Sequence, residues 1–350
     1  MMDKDIIPHS RPFITDLDLK AVTYALKSGQ LAQGPEVEKF ERNLAEFIGQ
    51  KKAAATSSGT AALHLALLAL NVKEKDEVII PSFVCSAVLN AVNYTGATPV
   101  IVDIEPLAYN ISFEDVKRAI SSKTKAIIVP HMFGCPAEMD KFTELDIPII
   151  EDCAQSIGAT FNGQPSGSLG LLSVFSFYAT KVLACGEGGM VLSNSEDLIL
   201  KIKDLREYDN KDDYLLRYNY KMTDIQASLG LNQLILLEQF IQKRREIADR
   251  YFEEFKDCDF LLPIWKKEKE HIYYRFVIKI RDKASGYLER FQQKGVMCRR
   301  PVYRPLHIYL NLSGIPQATE AWQKAISIPL YPSLKEEEIE KIISVVKETF

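Results

Sequence analysis

The chain has 350 residues and little that would mark a metal protein or a membrane protein. Its six cysteines, Cys85, Cys135, Cys153, Cys185, Cys258 and Cys298, are scattered with no CxxC pair. That disfavours a zinc site or a dithiol redox motif and fits reduced thiols in a cytoplasmic protein. The five histidines show no HxxxH or HxH spacing, so no metal is expected. No apolar run reaches the roughly 18 residues needed to span a bilayer. The N-terminal Met1-Met-Asp-Lys-Asp-Ile-Ile-Pro8 lacks the apolar centre of a signal peptide. Neither sign of charge dominates: 43 Lys and Arg oppose 47 Asp and Glu, for a net charge of −4. Nucleic acid is therefore not an expected partner, nor is a membrane surface. Internal repeats and low-complexity linkers are also missing.

What is there is an ordinary globular composition, 47% hydrophobic and 26% charged, on a chain long enough for a large core. The length suggests two domains, or one with an appendage. Residues 1–50 read as an arm with helices over Asp16 to Ser28 and Glu36 to Ile48, each stopped by a glycine. From Lys51 to Glu151 short Val/Ile-rich strands alternate with helices. That rhythm predicts parallel strands joined by crossovers, with both sheet faces covered. After Asp152 two strands, Ser173 to Phe177 and Gly189 to Ser193, have only a loop between them. So short a link predicts an antiparallel pair and hence a mixed sheet. A long helical region follows, Thr223 to about Phe255. The remainder reads as α+β, with strands over Ile272 to Ile280, Met297 to Arg300 and Ala325 to Ile328. Ser333-Leu-Lys-Glu336 is a capping box for a closing helix. The boundary is set within the long helix: residues 1–245 form the arm and a large α/β domain, and 246–350 a small α+β domain.

Ligands of open α/β sheets bind at the carboxyl ends of the strands, and three stretches should meet there. In Thr56-Ser-Ser-Gly-Thr-Ala-Ala62 small residues join a strand to a helix start. Free backbone N–H groups there suit a phosphate, with Ser58 and Thr60 as hydroxyl donors; a plain N-cap is the alternative. In Ile149-Ile-Glu-Asp-Cys-Ala-Gln155 a hydrophobic strand ends in Asp152. That acid can keep a pyridine nitrogen protonated, and Gln155 can reach a ring hydroxyl. A shared metal is disfavoured, because adjacent strand residues Glu151 and Asp152 point to opposite faces. The third stretch is Phe175-Ser-Phe-Tyr-Ala-Thr-Lys181, followed by Gly186-Glu-Gly-Gly189. A lone Lys181 would ordinarily be a solvated loop residue. Beside Asp152 it is half of the pair that pyridoxal phosphate (PLP) chemistry requires: an amine able to form an imine and a carboxylate for the pyridinium. Ser176 stands five residues before it and can touch the same phosphate. The glycines are best used as the turn into the next strand. Phe83, after the strand ending at Pro81, is a candidate to stack on a flat ring, although an aromatic there also suits the core.

Taken in order, these stretches resemble the DegT/DnrJ/StrS-type nucleotide-sugar aminotransferases. The likeness runs from Gly29 to Glu41 through Ser58-Gly-Thr-Ala-Ala-Leu63, Asp76-Glu-Val-Ile-Ile-Pro81, Gly96 to Asp103, Glu151 to Ala159, Phe175 to Lys181 and Gly186-Glu-Gly-Gly189. It ends at Asn219-Tyr-Lys-Met222 and Ile328-Pro-Leu330, so it covers nearly the whole chain. It implies a fold type I PLP-transferase: a mixed, mostly parallel sheet sandwiched by helices, with a smaller α+β C-terminal domain. It implies Lys181 as Schiff-base lysine and proton shuttle, Asp152 on the pyridine nitrogen and Gln155 on the ring hydroxyl. Gly59, Thr60 and Ser176 would hold the phosphate and Phe83 would stack on the ring. Asn219 of the partner subunit would reach the phosphate across a homodimer interface. The implied reaction is a ping-pong transamination. L-glutamate aminates PLP to the pyridoxamine form, which then aminates a keto sugar on a nucleotide diphosphate. Some relatives instead dehydrate a deoxysugar, with histidine in place of the lysine; Lys181 argues against that branch. A PLP-binding regulator without turnover is disfavoured by the intact Lys181, Asp152 and Gln155. Two positions depart from the pattern: Val182 follows the lysine where Asn is usual, and Lys221 replaces an arginine. Lysine meets an anion as a point charge without arginine's fork, so the grip on nucleotide or donor carboxylate should differ here. Arg299, Arg300, Tyr303 and His307 match loosely a segment that approaches the sugar nucleotide, and a solvated basic loop is the alternative.

Overall fold

The computed structural model describes residues 6–350; the first five residues of the predicted arm lie outside the described ones. α1 (Asp16–Ser28) opens on a reciprocal box between Thr15 and Asp18 and ends at Gly29, whose φ of 76° is the left-handed turn glycine allows. α2 (Pro35–Ile48) has no capping side chain of its own. The buried Asp224 supplies one from far along the chain, accepting from the N–H groups of Gly34 at 2.8 Å and Val37 at 3.0 Å. Asp18 in turn accepts from Asn232 and Gln233. The arm is thus tied down by carboxylates placed at helix starts.

The alternation follows as β1 (Lys52–Thr56), α3 (Gly59–Ala69), β2 (Glu77–Pro81), α4 (Ser86–Tyr94), β3 (Thr98–Val102), α5 (Phe113–Ala119), β4 (Thr124–Pro130), α6 (Met139–Thr143) and β5 (Ile149–Asp152). Two-residue strands β6 (Thr160–Phe161) and β7 (Gln164–Pro165) come next, then β8 (Leu172–Ser176), β9 (Gly189–Ser193) and α7 (Glu196–Leu205). The main sheet has the order β1-β9-β8-β5-β4-β2-β3. β9 runs antiparallel to both neighbours, and every other pairing is parallel. The mixed, mostly parallel sheet therefore has the predicted form. Alternate strand residues serve opposite cores. Val78, Ile80, Ala126 and Ile128 pack with α3, α4 and α7. Ile79, Ile127, Val129 and Ile149 pack with α5 and α6, while α2 and α8 (Asp224–Ile235) cover the β9 end.

α9 (Leu237–Phe255) leads out of the large sheet. Its Phe240 and Ile241 belong to the core against β8 and β9; its Ile247, Tyr251 and Phe255 belong to a second core. That second core is built on β10 (Phe260–Leu261), β12 (Phe276–Ile280) and β13 (Ala325–Ile328), all antiparallel, with β11 (Lys269–Glu270) pairing back to β6. α10 (Ala284–Gln293), α11 (Leu306–Tyr309), α12 (Pro316–Lys324) and α13 (Glu336–Lys347) complete the chain. No helix among the described residues is long and apolar enough to cross a membrane.

Three local expectations change. The region 223–255 is two helices, because Leu236 caps α8 and the chain turns before α9 begins. Met297 to Arg300 is not a strand; only Arg299 bridges to Ser327. The box for α13 is shifted: Ser333 Oγ is buried without a partner, and the Glu338 carboxylate accepts from the Lys335 N–H at 2.9 Å. Glutamate reaching back is enough to satisfy one orphan donor.

Candidate active site

The C-terminal segment closes over the carboxyl edge of the sheet through two polar ties. Asp103, just past β3, accepts from the N–H groups of Gln317 and Ala318 at 2.8 Å each and so caps α12. Ser82, just past β2, hydrogen-bonds Nδ1 of His307 at 2.6 Å. The other ring nitrogen of His307 meets Thr319 Oγ1 at 3.0 Å. Burial pushes the His307 pKa below its ordinary value, with Asp103 pulling the other way. Both nitrogens are engaged and the side chain is buried, so this candidate substrate contact is a tie between the two lobes in this structure. Tyr303 is exposed, as is Arg299, while Arg300 lies over the Trp322 ring at 4.9 Å.

Asp152 ends β5 with its side chain sunk into the sheet edge. Oδ1 accepts from the Ala154 N–H at 3.0 Å. Oδ2 has no hydrogen-bond partner among the described residues. Burial pushes the carboxyl up, opposed by the Ala154 N–H and then by the charges of Lys181 and His131. Gln155 sits one turn on. Its Oε1 accepts from the Phe133 N–H at 2.9 Å, which leaves the side-chain NH2 as the free donor. Phe133 holds a left-handed φ of 59° to make that contact. Phe83 is fully buried, packed on Tyr109 and Phe133 with centroids at 5.8 and 6.3 Å. No face of its ring is open for stacking in this structure.

The helix start at α3 is built for close approach. Ser58 caps it, accepting from Ala61 N–H at 3.1 Å. A methyl group on Gly59 would lie 2.8 Å from Ser176 Cβ, and one on Gly189 would lie 2.4 Å from the Ser58 carbonyl oxygen. Those two glycines let β8 and β9 press Ser176 against the N-terminus of α3, beside Thr60. The loop bearing Asn219 runs along the same place, since the Tyr220 carbonyl accepts from Ser57 N–H at 2.7 Å. Asn219 itself is exposed. Lys221 is paired with Asp209 at 3.2 Å and lies over the Tyr208 ring at 5.5 Å.

Lys181 leaves the loop after β8 and carries no ion pair or hydrogen bond at its Nζ among the described residues. Nζ lies 5.3 Å from the centroid of Tyr274. Burial pushes the Tyr274 phenol up, but Lys181, Arg275, a hydrogen bond with Thr180 and Arg244 outweigh it and bring it down to about 8. Sequence reading missed Tyr274, Arg275 and Thr180. Tyr274 and Arg275 fell inside a predicted strand whose paired part begins only at Phe276, so alternation gave no cue to them. Val182, a departure from the expected pattern, is buried in the core behind the lysine.

One group of metal-ligating types stands nearby: His131, Glu151 and Cys153. Glu151 faces away from Asp152 and accepts from His131 Nε2 at 2.9 Å and from the N–H groups of Gly167, Leu169 and Gly170. His131 Nδ1 accepts from Ala137 N–H at 3.0 Å. These bonds tie the ends of β4 and β5 to the 167–170 turn.

A free carboxylate oxygen, an unpaired amine, an amide donor and a helix start that a single Cβ would fill lie along one sheet edge. They fit the pyridine nitrogen, aldehyde, ring hydroxyl and phosphate of PLP, and with this sheet they define a fold type I PLP enzyme. The model of the DegT/DnrJ/EryC1/StrS aminotransferase family matches residues 12–347. The chain belongs to that family and is a PLP-dependent aminotransferase. GDP-perosamine synthase of Escherichia coli O157:H7 is 34% identical, with 98% of each chain covered. Among solved structures, a putative sugar aminotransferase of Streptococcus pneumoniae, Spr1654, has PMP and PLP forms. These superpose with TM-scores of 0.92 and 0.93 at 29% and 28% identity, covering 98% of this chain and 97% and 98% of that one. PseC of Helicobacter pylori, an aminotransferase of pseudoaminic acid biosynthesis, gives 0.92 at 28% identity, with 99% of each chain covered.

Proposed function

We propose that this chain transfers an amino group from L-glutamate to the keto carbon of a sugar carried on a nucleotide diphosphate. The observation that carries the proposal is the pairing of a free Asp152 carboxylate oxygen with an unpaired Lys181 amine at one sheet edge. Support for a sugar acceptor comes from the relatives, whose names include a GDP-sugar synthase and sugar aminotransferases. When bound, PLP supplies an electron sink for the carbanion formed as the donor loses its α-proton. Lys181 would hold the cofactor through Nζ, and the same amine would take up and deliver the proton. Asp152 holds the pyridine nitrogen protonated through Oδ2. Gln155 donates from its amide nitrogen to the ring hydroxyl. Gly59, Thr60 and Ser176 seat the phosphate with backbone and hydroxyl donors.

The enzyme is proposed to work in the cytoplasm as a homodimer with shared sites, Asn219 of the partner subunit completing the phosphate seat. Apolar side chains exposed in the stretches beside Lys181 and Asn219, among them Tyr178, Tyr208, Tyr214 and Leu216, support such a covered face. A screen of keto-sugar nucleotides against the pyridoxamine-loaded protein tests the acceptor. One of them should be converted to an amino sugar with return of the PLP form. If none is converted while simple keto acids are, the acceptor is not a sugar nucleotide.

A further inference from the structure

The cleft next to Lys181 has a wall of one charge sign. Thr180, the residue before the lysine, lines it together with His9, Arg11, Arg244, Tyr274 and Arg275, and among the described residues no Asp or Glu lines it. The three arginines are not equivalent. Arg11 reaches Glu338 at 3.6 Å. Arg244 is buried and spends one terminal nitrogen on three carbonyls, of Tyr273, Tyr274 and Leu330. Arg275 has no acid partner among the described residues. Its Nη1 meets only the ring of His9, at 3.2 and 3.4 Å, and its Nε is buried with nothing bound. His9 brings no counter-charge, since an imidazole is neutral or cationic; its pKa is held well down, first by burial and then by the charges of Arg275 and Arg299. A partly buried guanidinium with an empty donor and no counter-charge is costly unless a ligand supplies the anion.

The position of that guanidinium says which anion. Arg275 lies over the same Tyr274 ring as Lys181, each 5.3 Å from its centroid. The two cations are thus no farther apart than twice that distance, a gap that one dicarboxylic amino donor can bridge. We infer that Arg275 is the seat for a carboxylate of the amino donor, and that it takes the part for which Lys221, paired with Asp209, is not free. The inference rests on the aminotransferase reading and deepens it. A nucleotide's phosphate shares the same chemistry; the other acid-free cation of the lining, Arg244, also has an unbound Nε but spends Nη1 on three carbonyls, so Arg275 is the freer guanidinium.

The test is binding of glutarate, an unreactive five-carbon dicarboxylate, to the PLP-loaded full-length protein by calorimetry. Arg275→Gln should weaken glutarate about 10-fold or more, the loss expected for a charge-assisted contact, and Arg275→Lys should recover part of it. The visible absorbance of lysine-bound PLP in Arg275→Gln should match the parent, which separates loss of the seat from loss of the fold. Glutarate affinity within twofold of the parent in Arg275→Gln, or no glutarate binding by the parent, overturns the assignment. So does unchanged glutarate affinity with weakened binding of inorganic pyrophosphate, which would give the seat to a phosphate. A parent protein that takes up no PLP would defeat the aminotransferase reading instead, and glutarate binding would still decide the role of Arg275.

Discussion

Asp152 lives under two opposed influences at the residue scale. Burial raises its carboxyl above the ordinary 3.8, and neighbouring donors and cations only partly offset this. A group whose folded pKa is raised binds more protons folded than unfolded, so ionising it costs stability as pH rises from about 4 through the folded value. Asp152→Asn should therefore raise the Tm of the cofactor-free protein by a few degrees near neutral pH, with the gain shrinking toward pH 4, while PLP affinity falls. Thermal melts across pH check this; a lower Tm at neutral pH would mean the carboxylate is not strained. Gly59→Ala makes the complementary point, since its methyl would enter the space of Ser176. It should reduce PLP affinity and also lower the Tm, reflecting the roughly 1–3 kcal/mol that overpacking costs, measured by equilibrium titration and thermal melts. The places of Asp152, Gln155 and the Gly59 turn at strand ends were legible in sequence, because strand ends are readable from apolar runs. Phe83 and His307 were not, because whether an aromatic or a histidine faces the cleft or the core depends on packing between distant segments. Phe83 ended between Tyr109 and Phe133, and His307 between Ser82 and Thr319.

At the scale of elements, the strand-helix alternation and the single reversed strand β9 were set by local cues: Val/Ile runs and a loop too short for a crossover. The joint between α8 and α9 was hidden, because neither Pro nor Gly marks Leu236. The packing of α2 on β1 was hidden for another reason: it depends on a charge pair between distant segments. Glu41 of α2 is buried, accepts from the Ala55 N–H at 2.8 Å and pairs with the buried Arg206 at 2.7 Å, next to Lys203. Removing one partner strands the other charge in the interior. Glu41→Ala should cost about 3–5 kcal/mol and lower the Tm accordingly. A change within a degree would show that water reaches Arg206 at no cost.

For the whole molecule, the two cores share α9 and the lobes are tied across the sheet edge by Asp103, Ser82 and Arg244. The site thus lies between parts of the chain that sequence order keeps far apart, which is why Tyr274 and Arg275 came only with the fold. The homodimer proposal predicts a solution mass near twice the 39.6 kDa of one chain. It also predicts that Asn219→Ala weakens PLP without dissociating the dimer, as read by light scattering and cofactor titration. A monomer, or full PLP affinity in Asn219→Ala, would count against a shared site. The most direct test of the central claim is the visible spectrum of the purified, PLP-loaded protein on addition of L-glutamate. The yellow band of lysine-bound PLP should be present, absent from Lys181→Ala, and bleached by L-glutamate to the pyridoxamine form. A band that persists in Lys181→Ala, or that no amino donor bleaches, would contradict the account.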